Sequence, residues 1–195
     1  MFKKYLNSIS SLADCSEKQI EEIISITREK DISIGEKYIS VGEIPKSFAF
    51  VSKGLFRYFY MDNKGNELTK GFFPEYSFIT AYSALIENRE SYFTIEALEN
   101  SKLFVIDYRK WKEMIGSKFY WQKFLVSLLE KGYCIKENRE REFLLLDAEQ
   151  RYLSFLNTYP NLEKRIKQHH IASFLGITPV SLSRIRKKCS SVNIG

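Results

Sequence analysis

Residues that hold metals or close disulfides are scarce in this chain. Its 195 residues include three cysteines (Cys15, Cys134 and Cys189), far apart and odd in number, and two histidines, His169 and His170. That excludes a disulfide framework, a CxxC metal site and an iron–sulfur sensor, which needs about four clustered thiolates. The thiols are expected reduced, packing as small apolar groups, and neither a metal nor another cofactor is expected. No apolar run reaches the ~18 residues of a membrane span. Met1 to Ser10 has two lysines but no apolar core or small-residue cleavage site. A secretory signal is therefore not expected, and the cytoplasm is the default compartment. No nucleophile–base set, phosphate loop or metal cluster is recognisable, which argues against an enzyme.

What is present is enough apolar material, 44% of residues, for one sizeable core and a small satellite domain. The net charge of +6 is unevenly spread. Ala148 to Gly195 holds eight Lys and Arg against two Glu, while the remaining 147 residues balance at 22 of each sign. A neutral module joined to a polyanion-binding one has this asymmetry.

Ser16-Glu17-Lys18-Gln19 reads as a capping box. With Ile20, Ile23 and Ile24 at helical spacing, it predicts a helix over about residues 16–28. From Ile32 to Asp107 short apolar runs alternate with turn residues, the pattern of a small β-sandwich or barrel. Asp62 to Asn66 predicts a hairpin loop with Gly65 at positive φ. Beyond Asp107 the pattern is helical to about residue 145. Trp121, Leu125, Leu128, Gly132 and Ile135 follow a 4-3-4-3 spacing. This is either a helix packed on its own β-domain or, the reading favoured by its length, a homodimer seam. Asp147-Ala148-Glu149-Gln150 is a second capping box, and Pro160 ends the helix it starts. The expected domains are residues 1–109 (β), 110–146 (long helix) and 147–195 (all-α).

Gln168 to Lys188 carries the strongest pattern. Ile171, Ala172 and Leu175 form the inner face of a short helix, Gly176 supplies a left-handed turn, and Thr178 caps a second helix with Pro179 in its first turn. Leu182 and Ile185 point inward. These demands together describe a helix-turn-helix. Pro179, Val180, Ser181, Ser183, Arg184, Lys187 and Lys188 are left outward, where such a helix enters the major groove. Ser181 and Arg184 are the expected base contacts; Lys187, Lys188, Thr178, His169 and Gln168 are expected nearer phosphates.

Taken together these segments resemble the Crp/Fnr family of bacterial transcription regulators over nearly the whole chain. Gly35-Glu36-Lys37-Tyr38-Ile39, Phe48 to Gly54 and Asp62 to Glu67 are similar to the family's cyclic-nucleotide-binding β-roll, and Ile177 to Arg186 to its recognition helix. The resemblance implies an α+β fold: a β-roll flanked by helices, a long dimer helix and a C-terminal helix-turn-helix. It implies a homodimer bound to roughly palindromic double-stranded promoter DNA, with RNA polymerase as a partner and no membrane association. Two departures stand out. The family's Gly-Glu and Arg-Ser or Arg-Thr pairs, which grip ribose and cyclic phosphate, align with Thr80-Ala81 and Ser91-Tyr92. The acid is missing, and Arg89 is only close to the arginine's place, so cyclic AMP is not expected to bind. A different ligand, if one binds, would meet Phe72, Phe78, Tyr82 and the residues just named; the favoured reading of these aromatics is ordinary core. Also, Cys189 to Gly195 is too short for the β-hairpin wing that often follows the recognition helix. The alternative is a small-molecule-binding β-roll that acts through protein–protein contacts.

Overall fold

The fold is described from a computed structural model over residues 16–192; Cys15 and Met1 to Ser10 lie outside the described residues. By its contacts the chain divides into two compact units. One holds residues up to Tyr60 and Gly71–Gly132, the other Met61–Lys70 and Tyr133–Gly195.

In the first unit, helix α1 (Glu17–Ser25) begins at the predicted capping box: the Gln19 amide donates to Ser16 Oγ and the Ser16 amide to Gln19 Oε1 at 2.7 Å. The helix stops earlier than its apolar spacing predicts. Thr27 opens strand β1 (Thr27–Ile32), and its hydroxyl donates to the Ile23 carbonyl at 2.6 Å, closing the helix end. The chain then gains a continuous antiparallel ladder to β8, from Thr27↔Ile106 to Ile32↔Ser101. Tertiary pairing of this kind overrides weak helix propensity.

The other strands are β2 (Lys37–Ile39), β3 (Ser47–Lys53), β4 (Phe56–Met61), β5 (Glu67–Phe73), β6 (Phe78–Ile79), β7 (Thr94–Ala97) and β8 (Ser101–Asp107). They form two four-stranded sheets, ordered β1-β8-β3-β6 and β2-β7-β4-β5. Strands β3 and β8 are apolar on both faces, and period-2 geometry sorts their side chains. Ala49, Val51, Leu103 and Val105 join Phe56, Tyr58 and Ile95 in one core. Phe48, Phe50, Phe104 and Ile106 face Ile23, Trp111, Trp121 and Phe124 in another.

Helix α2 (Tyr82–Glu87) lies between β6 and β7 in sequence. After β8 the predicted single helix is two: α3 (Tyr108–Ser117) and α4 (Phe119–Leu145), interrupted at Lys118, whose backbone is extended (φ −136°, ψ 109°). The break has a cause. Lys118 Nζ pairs with Glu22 at 2.6 Å, and Trp121 Nε1 donates to the same carboxylate at 3.0 Å. The Lys118 carbonyl then accepts the Trp121 amide at 3.1 Å.

The expected seam is corrected here. Trp121 is 1% exposed and packs edge-on to Trp111, with Leu125 and Leu128 partly buried against the same cluster. These three face their own unit because β3 and β8 offer them an aromatic surface. In its middle α4 leaves Val126, Leu129 and Tyr133 outward, spaced three and four apart, with Gly132 and Ile135 also exposed; Phe119 at its start and Phe143, Leu144 and Leu145 at its end are exposed too.

The second unit contains the tip of the β4–β5 hairpin. Asp62 Oδ1 accepts the amides of Lys64 and Asn66 at 2.8 and 2.9 Å, and Gly65 has φ +81° as predicted. Ser173 Oγ accepts the Thr69 amide at 2.9 Å and donates to the Glu67 carbonyl at 2.8 Å. Helix α5 (Ala148–Thr158) starts at the predicted Asp147–Gln150 capping box and stops two residues before Pro160. A short 3-10 turn (Leu162–Lys164), α6 (Gln168–Leu175) and α7 (Pro179–Val192) complete the unit.

Candidate nucleic-acid interface

The turn between α6 and α7 follows from its residues. Gly176 sits at φ +68°, ψ 34°, a left-handed conformation that glycine adopts without a Cβ penalty. The Ile177 amide donates back to the Ala172 carbonyl at 3.0 Å and the Gly176 amide to that of Ser173 at 3.1 Å. Thr178 then caps α7: its Oγ1 accepts the Ser181 amide at 3.1 Å. Pro179 takes the first helical position, where its missing N–H costs nothing. Ile171, Ala172, Leu175 and Leu182 are buried between the helices, and Ile185 is half-buried.

Outside this wedge Gln168, His169, Thr178, Pro179, Val180, Ser183, Arg184, Lys187 and Lys188 are exposed. Arg184 makes no hydrogen bond or ion pair among the described residues. Several of the expected contact residues already have partners within the protein, Lys187 and Thr178 among them. Ser181 is half-buried and shares its hydroxyl with Thr178 at 2.9 Å. Lys188 pairs with Glu149, and that hydrogen bond raises its pKa above the ordinary lysine value.

A network that sequence reasoning missed fixes α7. Arg186 Nε pairs with Glu163 Oε1 at 3.0 Å, and the Tyr152 hydroxyl donates to the same oxygen at 2.7 Å. Burial and the neighbouring carboxylate push the Tyr152 hydroxyl well above its ordinary pKa. The available signal was spacing: Arg186 lies four residues after the inward Leu182, on the same helix face.

In the first unit, most of the residues expected around a ligand pack or pair with neighbours of their own unit. Phe78 packs with Phe48, Phe50 and Phe124 on the helix side of its sheet. Phe72 and Ala81 are buried; Tyr82 and Tyr92 are exposed. The buried Ser91 hydroxyl donates to the Phe93 carbonyl at 2.7 Å. Arg89 pairs with Glu87 and lies 4.4 Å over the Tyr92 ring. Thr80 is held through its backbone: its amide donates to the Tyr58 hydroxyl at 2.8 Å. Tyr58 stacks on Phe73 at 3.9 Å and Phe93 at 5.2 Å, and burial keeps its hydroxyl protonated far above the usual range.

A two-sheet β-roll, a long helix and a C-terminal helix-turn-helix define the class. No family model and no curated protein matches the sequence. Solved structures do match. FixK2 from Bradyrhizobium japonicum superposes with a TM-score of 0.76 at 14% identity, covering 87% of each chain. The c-di-GMP-responsive global regulator CLP of Xanthomonas campestris gives 0.71 at 15%, covering 91% of this chain and 93% of that one. A protein from Eubacterium rectale, described as a transcriptional regulator of the Crp/Fnr family, gives 0.71 at 17%, covering 95% and 88%. The chain therefore has the fold of the Crp/Fnr regulators, as the sequence resemblance implies. Among the described residues no helix is long and apolar enough to cross a membrane.

Proposed function

We propose that the chain is a cytoplasmic, sequence-specific DNA-binding transcription regulator that works as a homodimer. The observation that carries this reading is the outward face of α7. Arg184 and Lys187 stand exposed one turn apart on a helix started by Thr178 and Pro179. In a helix-turn-helix that face enters the major groove. Arg184 reads a guanine through O6 and N7, Val180 offers an apolar contact, and Gln168, His169, Thr178 and Lys187 meet phosphates. Lys188 joins them only on releasing Glu149. Two copies associate along α4 through Val126, Leu129 and Tyr133, with Gly132 and Ile135 beside them, and read the halves of a palindromic promoter site near RNA polymerase. Cyclic AMP is not the effector, since Thr80-Ala81 supplies no carboxylate and Ser91-Tyr92 no arginine.

Fluorescence anisotropy tests the proposal: the protein is titrated against its own upstream promoter and a scrambled duplex at near-physiological salt. The expected result is preference for the promoter, with log affinity falling steeply with log salt, by about 0.9 in slope per phosphate neutralised. A random-sequence pool from which nothing is enriched, with the same protein binding a metabolite tightly, would replace the regulator by a ligand-binding module.

A further inference from the structure

A helix ends with four carbonyls that have no partner inside it. In α6 these belong to Ala172, Ser173, Phe174 and Leu175. The glycine turn satisfies two of them, through the amides of Ile177 and Gly176. The other two are taken by arginines from outside the helix. Arg139, on α4, donates from Nη2 to the Phe174 carbonyl. Arg151, on α5, donates from Nε to the Leu175 carbonyl at 3.1 Å. Arg151 also donates from Nη1 to the Leu146 carbonyl at 2.7 Å, just past the end of α4. One guanidinium thus ties the carbonyl ends of the long helix and of the first helix of the motif together.

The same arginines are held by aromatic rings and a carboxylate. The Arg139 guanidinium lies 4.1 Å from the Phe143 ring centre and 3.7 Å from that of Phe174. Glu142 pairs with it at 3.7 Å and accepts the Ser154 hydroxyl on its other oxygen. Burial pushes Arg139 down to about 10, which still leaves it charged at neutral pH. Phe143 also reaches the turn itself: a Cβ built on Gly176 would lie 3.0 Å from Phe143 Cε1. Carbonyl oxygens at a helix C-terminus carry the negative end of its dipole, so two half-buried cations there are favourable as well as hydrogen-bonded.

We infer that Arg139 and Arg151 are positioning residues for DNA recognition, clamping the α6 carbonyl end to the end of α4 so that the Gly176 turn, and α7 beyond it, has one setting. This rests on the DNA-binding reading above. Neither arginine is assigned to DNA; each acts through the turn. Lysine cannot replace them, because a single ammonium lacks the planar fork that spans two carbonyls or slots between two rings.

The test uses full-length protein carrying Arg139→Lys or Arg151→Lys, which keep the charge. Each variant is measured for affinity to the selected duplex across a salt series, and for amide hydrogen exchange at Gly176 and Ile177. We expect affinity to fall about tenfold, the equivalent of one charge-assisted hydrogen bond, with an unchanged salt slope. Exchange at the two turn amides should rise by a similar factor while that at Ile171 and Leu182 stays put. Unchanged affinity and unchanged turn exchange overturn the inference. So does a salt slope shallower by about one in the charge-removing variants Arg139→Gln or Arg151→Gln, which would make the arginines phosphate contacts. Exchange rising equally at Ile171 and Leu182 overturns it too, as general destabilisation. If the unsubstituted protein binds no duplex at all, the DNA reading fails, and the exchange measurement still decides whether the clamp fixes the turn.

Discussion

The two units handle arginine differently. In the β-roll unit Arg57 is 1% exposed, faces Glu96 across the β4–β7 ladder at 2.7 Å and lies 4.1 Å from the Phe59 ring centre. Its charge is spent inside the sheet and fixes which residue pairs with which. In the helical unit Arg139, Arg151 and Arg186 are turned inward on carbonyls, rings and Glu163, while Arg184 on the same α7 as Arg186 is left outward. A residue type that shapes the interior of one unit is divided in the other between scaffolding and display. The lesson is that charge counted along a sequence overstates charge available to a partner: of the eight basic residues in the C-terminal quarter, Arg151, Arg186 and Lys188 already hold groups of their own unit.

The largest effect that would break this comparison is expected at Arg57. Arg57→Met strands a half-buried carboxylate, and removing one partner of such a pair costs about 3 kcal/mol; the urea midpoint should fall accordingly. Adding Glu96→Met should recover most of the loss, and no recovery would mean that Arg57 acts through its packing on Phe59 alone. Next comes Arg184→Ala, which should lower affinity for the selected duplex by about 1–3 kcal/mol and relax its preference at one base pair, with the melting temperature unmoved. A melting temperature that falls as far as for Arg57→Met would place Arg184 among the scaffold arginines. Gly176→Ala forces a side chain into the left-handed region against Phe143 and should cost about 1–2 kcal/mol of stability, read by thermal unfolding of the full chain.

The smallest effect is expected with pH. Hydrogen bonds from Lys118 and then Trp121 lower the Glu22 pKa in the folded state. A group lowered on folding contributes stability above the ordinary carboxylate range, and that contribution disappears as pH falls through the folded value. Glu22→Gln should therefore flatten the acid limb of the stability–pH curve and leave the DNA affinity unchanged; an unaltered acid limb would mean that the Lys118 break is held by packing.

How much of this was legible in the sequence follows how local each cause is. Both capping boxes, the Gly65 loop, the Gly176 turn and the Thr178–Pro179 start were readable because each depends on residues within a few positions. The α4 face was not. The 4-3-4-3 spacing from Trp121 identifies an apolar stripe but not what it meets, and Trp121 is settled by Glu22, 99 residues earlier. Arg139 and Arg151 were illegible for the same reason: a guanidinium bonded to a carbonyl 35 residues away looks, in sequence, like any solvated charge.

Ser173 has a consequence for solubility. Strand β5 lies at the edge of its sheet, and an edge offers open N–H and C=O groups to any passing strand. The Glu67 carbonyl and Thr69 amide are such a pair, and the single Ser173 hydroxyl occupies both. It takes the place that a neighbouring strand would fill, donating once and accepting once in the same register. Ser173→Ala would uncover this pair of edge groups, and self-association through the β5 edge is expected to rise with it.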